Sequence, residues 1–175
     1  MTYCVAMCLE EGMLFASDSR SNAGLDHVST FSKMTVFENA GERIIVLLNS
    51  GNLATTQSVV SRLGRLHSAG NPAGGLMGVQ SMFDAASLVG EELRSVIREQ
   101  AGTGLDQSGV DFSASFLVGG QIAGEQPRLF LVYPQGNCLV GVVSSPDRRG
   151  RYVFRLASQR LEPGASASLQ RASGA

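Results

Sequence analysis

Lysine is almost missing from this sequence: of 14 basic residues, 13 are arginine and one is Lys33. Histidine is scarce too. His27 lies in a polar stretch and His67 in a helical one, and neither sits in a nucleophile-elbow or metal-binding motif. That scarcity argues against serine-hydrolase and metalloenzyme chemistry. The three cysteines, Cys4, Cys8 and Cys138, lack the paired spacing of a zinc site or a disulfide framework and read as small apolar core residues. No loop cradles phosphate, because the glycines of "LVGGQIAGEQ" fall between strands rather than ahead of a helix. A net charge of −1 gives no general attraction for nucleic acid or an anionic membrane. No apolar run approaches the roughly 18 residues of a membrane span, and no charged-then-apolar leader precedes the first strand, so a cytoplasmic location is expected. Nor is there an internal repeat.

What is present fits one globular domain. The chain has 175 residues, 43% hydrophobic and 17% charged, enough for a single core. "TYCVAMCL" and "GMLFASDS", joined by "EEG", read as a β-hairpin, and "SNAGLDHVSTF" as a polar loop. "KMTVFE" and "RIIVLLNS" pair around "NAGE". Gly51 and Asn52 open a first helix with an apolar stripe of Leu53, Val59, Val60, Leu63 and Leu66. A second helix spans "VQSMFDAASLVGEELRSVIREQA", with Met82, Ala86, Leu88, Val89, Leu93 and Ile97 inward. "FSASFLVGG" and "PRLFLVYP" make a third hairpin and "GNCLVGVV" a further strand. Strands, two consecutive helices, then strands again predict an antiparallel sheet with a helix pair across one face.

From Ser144 the periodicity fades. Six of the 13 arginines fall in this Arg/Ser/Ala/Gly-rich end, which reads as a flexible tail over 144–175 after a domain over 1–143. Its "RRGR" lacks interleaved aromatic residues, so nucleic acid is not an expected partner.

The residues left to carry chemistry are Thr2, Asp18 and Lys33. Thr2 heads the first strand and Asp18 ends the second, so a hairpin of this length brings them to one edge. Lys33 begins the third strand. In a chain that uses arginine nearly everywhere for its cations, a lone lysine is either a place for a compact, tunable amine or a chance retention on the surface, and composition alone favours neither. If Met1 is removed, the α-amine of Thr2, with a reference pKa of about 7.7–8.0, can take the proton of its own hydroxyl. Lys33 then stabilises the alkoxide, Asp18 holds Lys33, and backbone N–H groups at Gly51 serve a developing oxyanion. No metal or other cofactor is needed.

Taken in order, "MTYCVAMCLEEGMLFASDSRSNAG", "STFSKMTVF", "LLNSGNLATTQSVV" and "FLVGGQ…PRLFLVYPQGN" resemble the proteasome β-subunit superfamily of N-terminal-nucleophile (Ntn) hydrolases, most closely its bacterial proteasome-type branch. The resemblance covers about residues 1–137. It implies an α+β fold, an αββα sandwich of two antiparallel sheets between helical layers, in place of the single covered sheet. It also implies a threonine-type peptidase with Thr2 as nucleophile, Asp18 and Lys33 as its supporting pair and Gly51 in the oxyanion region. The implied partners are a peptide or unfolded-protein substrate and further copies of the chain in a ring or open-ring oligomer. A catalytically silent assembly subunit and a small-amide Ntn amidohydrolase are the alternatives. After "YPQGN" the chain departs from the family: the change of composition reads as a truncation or altered reading frame that leaves the sandwich incomplete at its C-terminus.

Overall fold

The computed structural model describes residues 2–9, 12–22, 28–30, 32–68, 75–102, 110–140 and 152–157. Strands β1 (Tyr3–Leu9) and β2 (Gly12–Ser17) form the expected hairpin, in register from Cys4↔Ser17 to Leu9↔Gly12. The stretch read as a polar loop contains a short ribbon instead, β3 (Arg20–Asn22) paired with β4 (Val28–Thr30). Hydrogen bonding between two short segments needs no apolar face, so periodicity gives no sign of it. Strands β5 (Met34–Asn39) and β6 (Arg43–Gly51) pair around the "NAGE" turn, closed by Glu42 N–H donating to the Asn39 carbonyl at 3.0 Å.

Helix α1 (Leu53–Ser68) and helix α2 (Met82–Ala101) follow. A 3-10 turn over Gly75–Met77 lies between them and buries Leu76. Helix α2 starts later than its apolar pattern because Ser81 caps it, its hydroxyl accepting the Asp84 N–H at 3.1 Å. In α1, Val59 and Leu63 are fully buried, whereas Leu66 is 38% exposed and leaves the stripe drawn through it. Strands β7 (Ala114–Ile122), β8 (Arg128–Val132) and β9 (Cys138–Val140) complete a five-stranded antiparallel sheet in the order β5-β6-β7-β8-β9.

A tenth strand, β10 (Tyr152–Ala157), pairs antiparallel with β1 from Tyr3↔Ala157 to Cys8↔Tyr152. It lies in the stretch that composition separates as a tail. The other residues of 144–175 lie outside the described ones, as does His27.

The molecule is therefore not one covered sheet. Alternation along β6 and β7 sends Ile45, Leu47, Phe116 and Val118 toward α1 and α2, where they join Val59, Leu63, Val89 and Leu93. It sends Val46, Leu48 and Leu117 to the opposite face, onto Cys4 and Ala6 of β1. A second antiparallel sheet, β10-β1-β2, covers that face. The continuous apolar run of β6 is thus explained, since a strand buried on both faces does not alternate. The chain is α+β with two stacked antiparallel sheets, as the resemblance implied. Among the described residues helices cover one outer face of the pair, and no helix is long and apolar enough to cross a membrane.

Candidate active site

Three of the four expected residues meet where the two sheets are joined by the chain. Thr2 immediately precedes β1 and is 8% exposed; Lys33 immediately precedes β5 and is 4% exposed. Asp18 follows β2, and the hairpin register carries it back to the head of β1: its N–H donates to the Tyr3 carbonyl at 3.0 Å. Its carboxylate then works with both oxygens. Oδ1 accepts the Tyr3 N–H at 2.9 Å, and Oδ2 accepts Lys33 Nζ at 2.7 Å. Burial works to raise this carboxyl, but the Lys33 ammonium and the Tyr3 N–H outweigh it and hold it below the ordinary aspartate value.

A buried ammonium this close to a carboxylate is fixed in place, because separating the pair would leave a charge without a partner. Its only described carboxylate partner also grips the peptide N–H of the residue next to Thr2. Backbone and side chain thus tie the lone lysine to the head of β1.

Gly51 closes β6 with φ +108°, a conformation that side chains rarely adopt. An added Cβ would lie 2.4 Å from the Ser113 carbonyl oxygen and 2.7 Å from Ala114 Cα. Glycine is thus required here both by dihedral angle and by the closeness of β7. The helix cap belongs to Asn52 instead: its Oδ1 accepts the Thr55 N–H at 3.1 Å, and its Nδ2 donates to the Asp111 carbonyl at 2.9 Å. Gly51 stands one residue ahead of that capped N-terminus, where the helix dipole favours negative charge.

Two residues without an assigned role belong to the neighbourhood. Asn49 of β6 grips the Lys33 carbonyl twice, by its backbone N–H at 2.9 Å and by Nδ2 at 3.2 Å. Its own carbonyl accepts Cys4 Sγ at 3.4 Å. Burial, with the negative Asp18 nearby, pushes the Cys4 thiol up to about 11, although Lys33 pulls it down. Cys4 is therefore a neutral packing residue beside the ion pair, as small apolar residues are. The signal for Asn49 was in the sequence: it is the first polar residue after five apolar ones in "RIIVLLNSG". Thr55, within α1, ties that helix to α2 and the strand before β7, donating to Gln100 Oε1 at 2.6 Å and to the Phe112 carbonyl at 3.0 Å.

A cavity of about 290 Å³ opens between β5–β6 and α1, and none of Thr2, Asp18, Lys33 or Gly51 lines it. Ser32 and Asn49 line it from the strand side, Leu53, Thr56 and Val60 from α1. No group of three or more His, Cys, Asp or Glu able to hold a metal ion occurs among the described residues.

No protein-family model matches the chain, and no curated protein matches it. Solved structures do. Anbu (ancestral β-subunit) from Yersinia bercovieri is 46% identical with a TM-score of 0.76. The Anbu complex of Pseudomonas aeruginosa, described as a helical assembly, is 42% identical with a TM-score of 0.78. Anbu from Hyphomicrobium sp. strain MC1 is 36% identical with a TM-score of 0.71. In each case the match covers 91% of this chain and 62% of the other, so the chain spans about three-fifths of the length of these relatives.

Proposed function

We propose, on the premise that this is a proteasome-like Ntn-fold chain of the Anbu type, that it is a threonine-type peptidase whose nucleophile is Thr2 Oγ. The observation that carries the reading is the double grip of Asp18, which holds Lys33 Nζ and the N–H of the residue following Thr2. Removal of Met1 frees the Thr2 α-amine, which takes the hydroxyl proton directly or through a water. The alkoxide attacks a peptide carbonyl, and the oxyanion that forms is met by backbone N–H groups at Gly51. Collapse expels the amine, which takes up the proton, and leaves an ester on Thr2 that water hydrolyses. Lys33 supplies positive charge to the oxygen while Asp18 keeps it oriented. Its partners are peptide or unfolded-protein substrates and further copies of the chain; the assembly of the Pseudomonas protein supports the second.

The test is the intact mass of the chain after incubation with a peptide epoxyketone, which forms its ring adduct only with a hydroxyl and its own free amine. The expected result is one adduct per chain on a species lacking Met1, absent from Thr2→Ala. A chain without Met1 that gives no adduct would overturn the nucleophile and favour an assembly subunit.

A further inference from the structure

The backbone of Lys33 is held more firmly than strand pairing requires. Lys33 lies one residue outside the β5–β6 ladder, whose pairing begins at Met34↔Leu48. Continuing that ladder by one step needs a single bond to the Lys33 carbonyl, from the Asn49 N–H, and it is present at 2.9 Å. Asn49 adds a second from its side chain, Nδ2 to the same oxygen at 3.2 Å, so one residue engages both lone pairs of the carbonyl. The other edge of the same peptide unit is held as well. Ser32 Oγ accepts the Met34 N–H at 3.4 Å and donates to the Met34 carbonyl at 2.6 Å, bracketing Lys33.

A peptide unit is planar, so holding its oxygen and its N–H together stops it from turning. With that plane fixed, ψ of Lys33 has little freedom, and ψ sets the direction in which Cβ leaves the strand. Beyond Cβ a lysine side chain is long and flexible, so a small swing at the root becomes a large displacement of Nζ. Asp18 holds the tip at 2.7 Å, and Asn49 holds the root. Asn49 is itself a firm anchor, 7% exposed and paired on its other side with Phe116 of β7. A leucine at this position would keep the ladder bond, so pairing alone does not call for an amide.

We infer that Asn49 is a positioning residue of the proposed reaction: its amide clasps the Lys33 carbonyl and so aims Nζ at the head of β1. The inference rests on the peptidase reading. Asn49 acts through the lysine backbone, and a reacting group displaced by about an ångström can lose on the order of a hundredfold in rate.

The test is saturation kinetics of epoxyketone adduct formation, which separates the limiting rate from the half-saturating concentration. Asn49→Ala keeps the ladder N–H and removes the amide. It should lower the limiting rate about tenfold and leave the half-saturating concentration within about twofold. Asn49→Asp has the same shape without the donor and should do no better. Asn49 also lines the cavity, so a change confined to the half-saturating concentration would make it a wall residue and overturn the inference. An unchanged limiting rate would overturn it too, whatever the urea midpoint of the variant.

A second readout needs no reaction. The chain has one lysine, so isotopically labelled lysine reports on Lys33 alone in nuclear magnetic resonance spectra. The Nζ–H signal of the parent chain near neutral pH should be lost in Asn49→Ala, as in Asp18→Asn, and the Lys33 carbonyl carbon should move upfield. A signal absent from the parent, or one that persists in Asn49→Ala while the carbonyl moves, overturns the inference. If Asn49→Ala does not fold, Ser32→Ala, at an exposed position, should weaken the same signal, and an unchanged signal overturns the inference. A parent chain that gives no adduct but loses the Nζ–H signal on Asn49→Ala sinks the peptidase reading alone. An adduct formed equally well by parent and variant sinks only this inference.

Discussion

Lys33 reaches Asp18 across the open end of the first hairpin, Nζ to Oδ2 at 2.7 Å, with the lysine side chain 5% and the aspartate side chain 31% exposed. The pair is therefore lopsided. Its cation is inside and its anion touches solvent.

That asymmetry has a pH signature. Asp18 is held below the ordinary aspartate value, against the upward push of its own burial, by Lys33 and the Tyr3 N–H. A carboxyl lowered on folding contributes stability that is fully present above its unfolded pKa, near 4, and is lost as pH falls through the lower folded value. Urea midpoints should be level between about pH 7 and 5 and fall below about 4. Asp18→Asn should start lower, by about 1–3 kcal/mol at neutral pH, because Lys33 loses its described carboxylate partner. It should then show a shallower acid decline. A decline as steep as that of the parent chain would remove Asp18 from the account.

Lys33→Arg keeps the charge but not the geometry. The site admits a side chain that is 5% exposed and ends in a compact ammonium, and a planar guanidinium is wider. Rate constants for epoxyketone adduct formation should fall at least about a hundredfold, the size typical of losing a positioned acid–base group. Wild-type reactivity in this variant would contradict the role given to the lysine.

Gly51→Ala should damage the fold as well as the chemistry. The new methyl group would meet the Ser113 carbonyl oxygen at 2.4 Å on a backbone already at φ +108°. Strained dihedral and backbone overlap together should cost at least about 2 kcal/mol, read as a lower urea midpoint. An unchanged midpoint would mean that β7 yields more easily than its nine-residue pairing with β6 suggests.

Cys4 should be silent to alkylation. Its thiol is raised to about 11 by burial first, then by Asp18, and only thiolate reacts. Iodoacetamide at pH 8 followed by peptide mass spectrometry should leave Cys4 unmodified in the native chain and modify it in urea. Native labelling at Cys4 would show that the head of β1 opens to solvent.

Much of this was legible in the sequence because it is local. The β1–β2 hairpin, the "NAGE" turn and the two helices follow from short-range pattern and turn chemistry, and the hairpin alone placed Asp18 beside the start of β1. The lone lysine pointed at itself. Strand β10 was not legible, because its partner is at the other end of the chain and its arginine-rich surroundings mask a six-residue run. The second sheet was hidden for a related reason: which face of β6 meets β1 is decided by stacking, which leaves the strand apolar throughout. Asn49 looked like the end of a strand. Its part appears only when β5 and β6 are paired and the Lys33 carbonyl comes opposite it.

The place of β1 in the middle of β10-β1-β2 also sets an order of events during synthesis. The strand that follows the proposed nucleophile is made well before its second neighbour, which is the last strand described. Until β10 has been made, β1 has one bare edge. In the folded chain Thr2 is 8% exposed. The surroundings of the proposed nucleophile are therefore completed late, although the residue itself is made early.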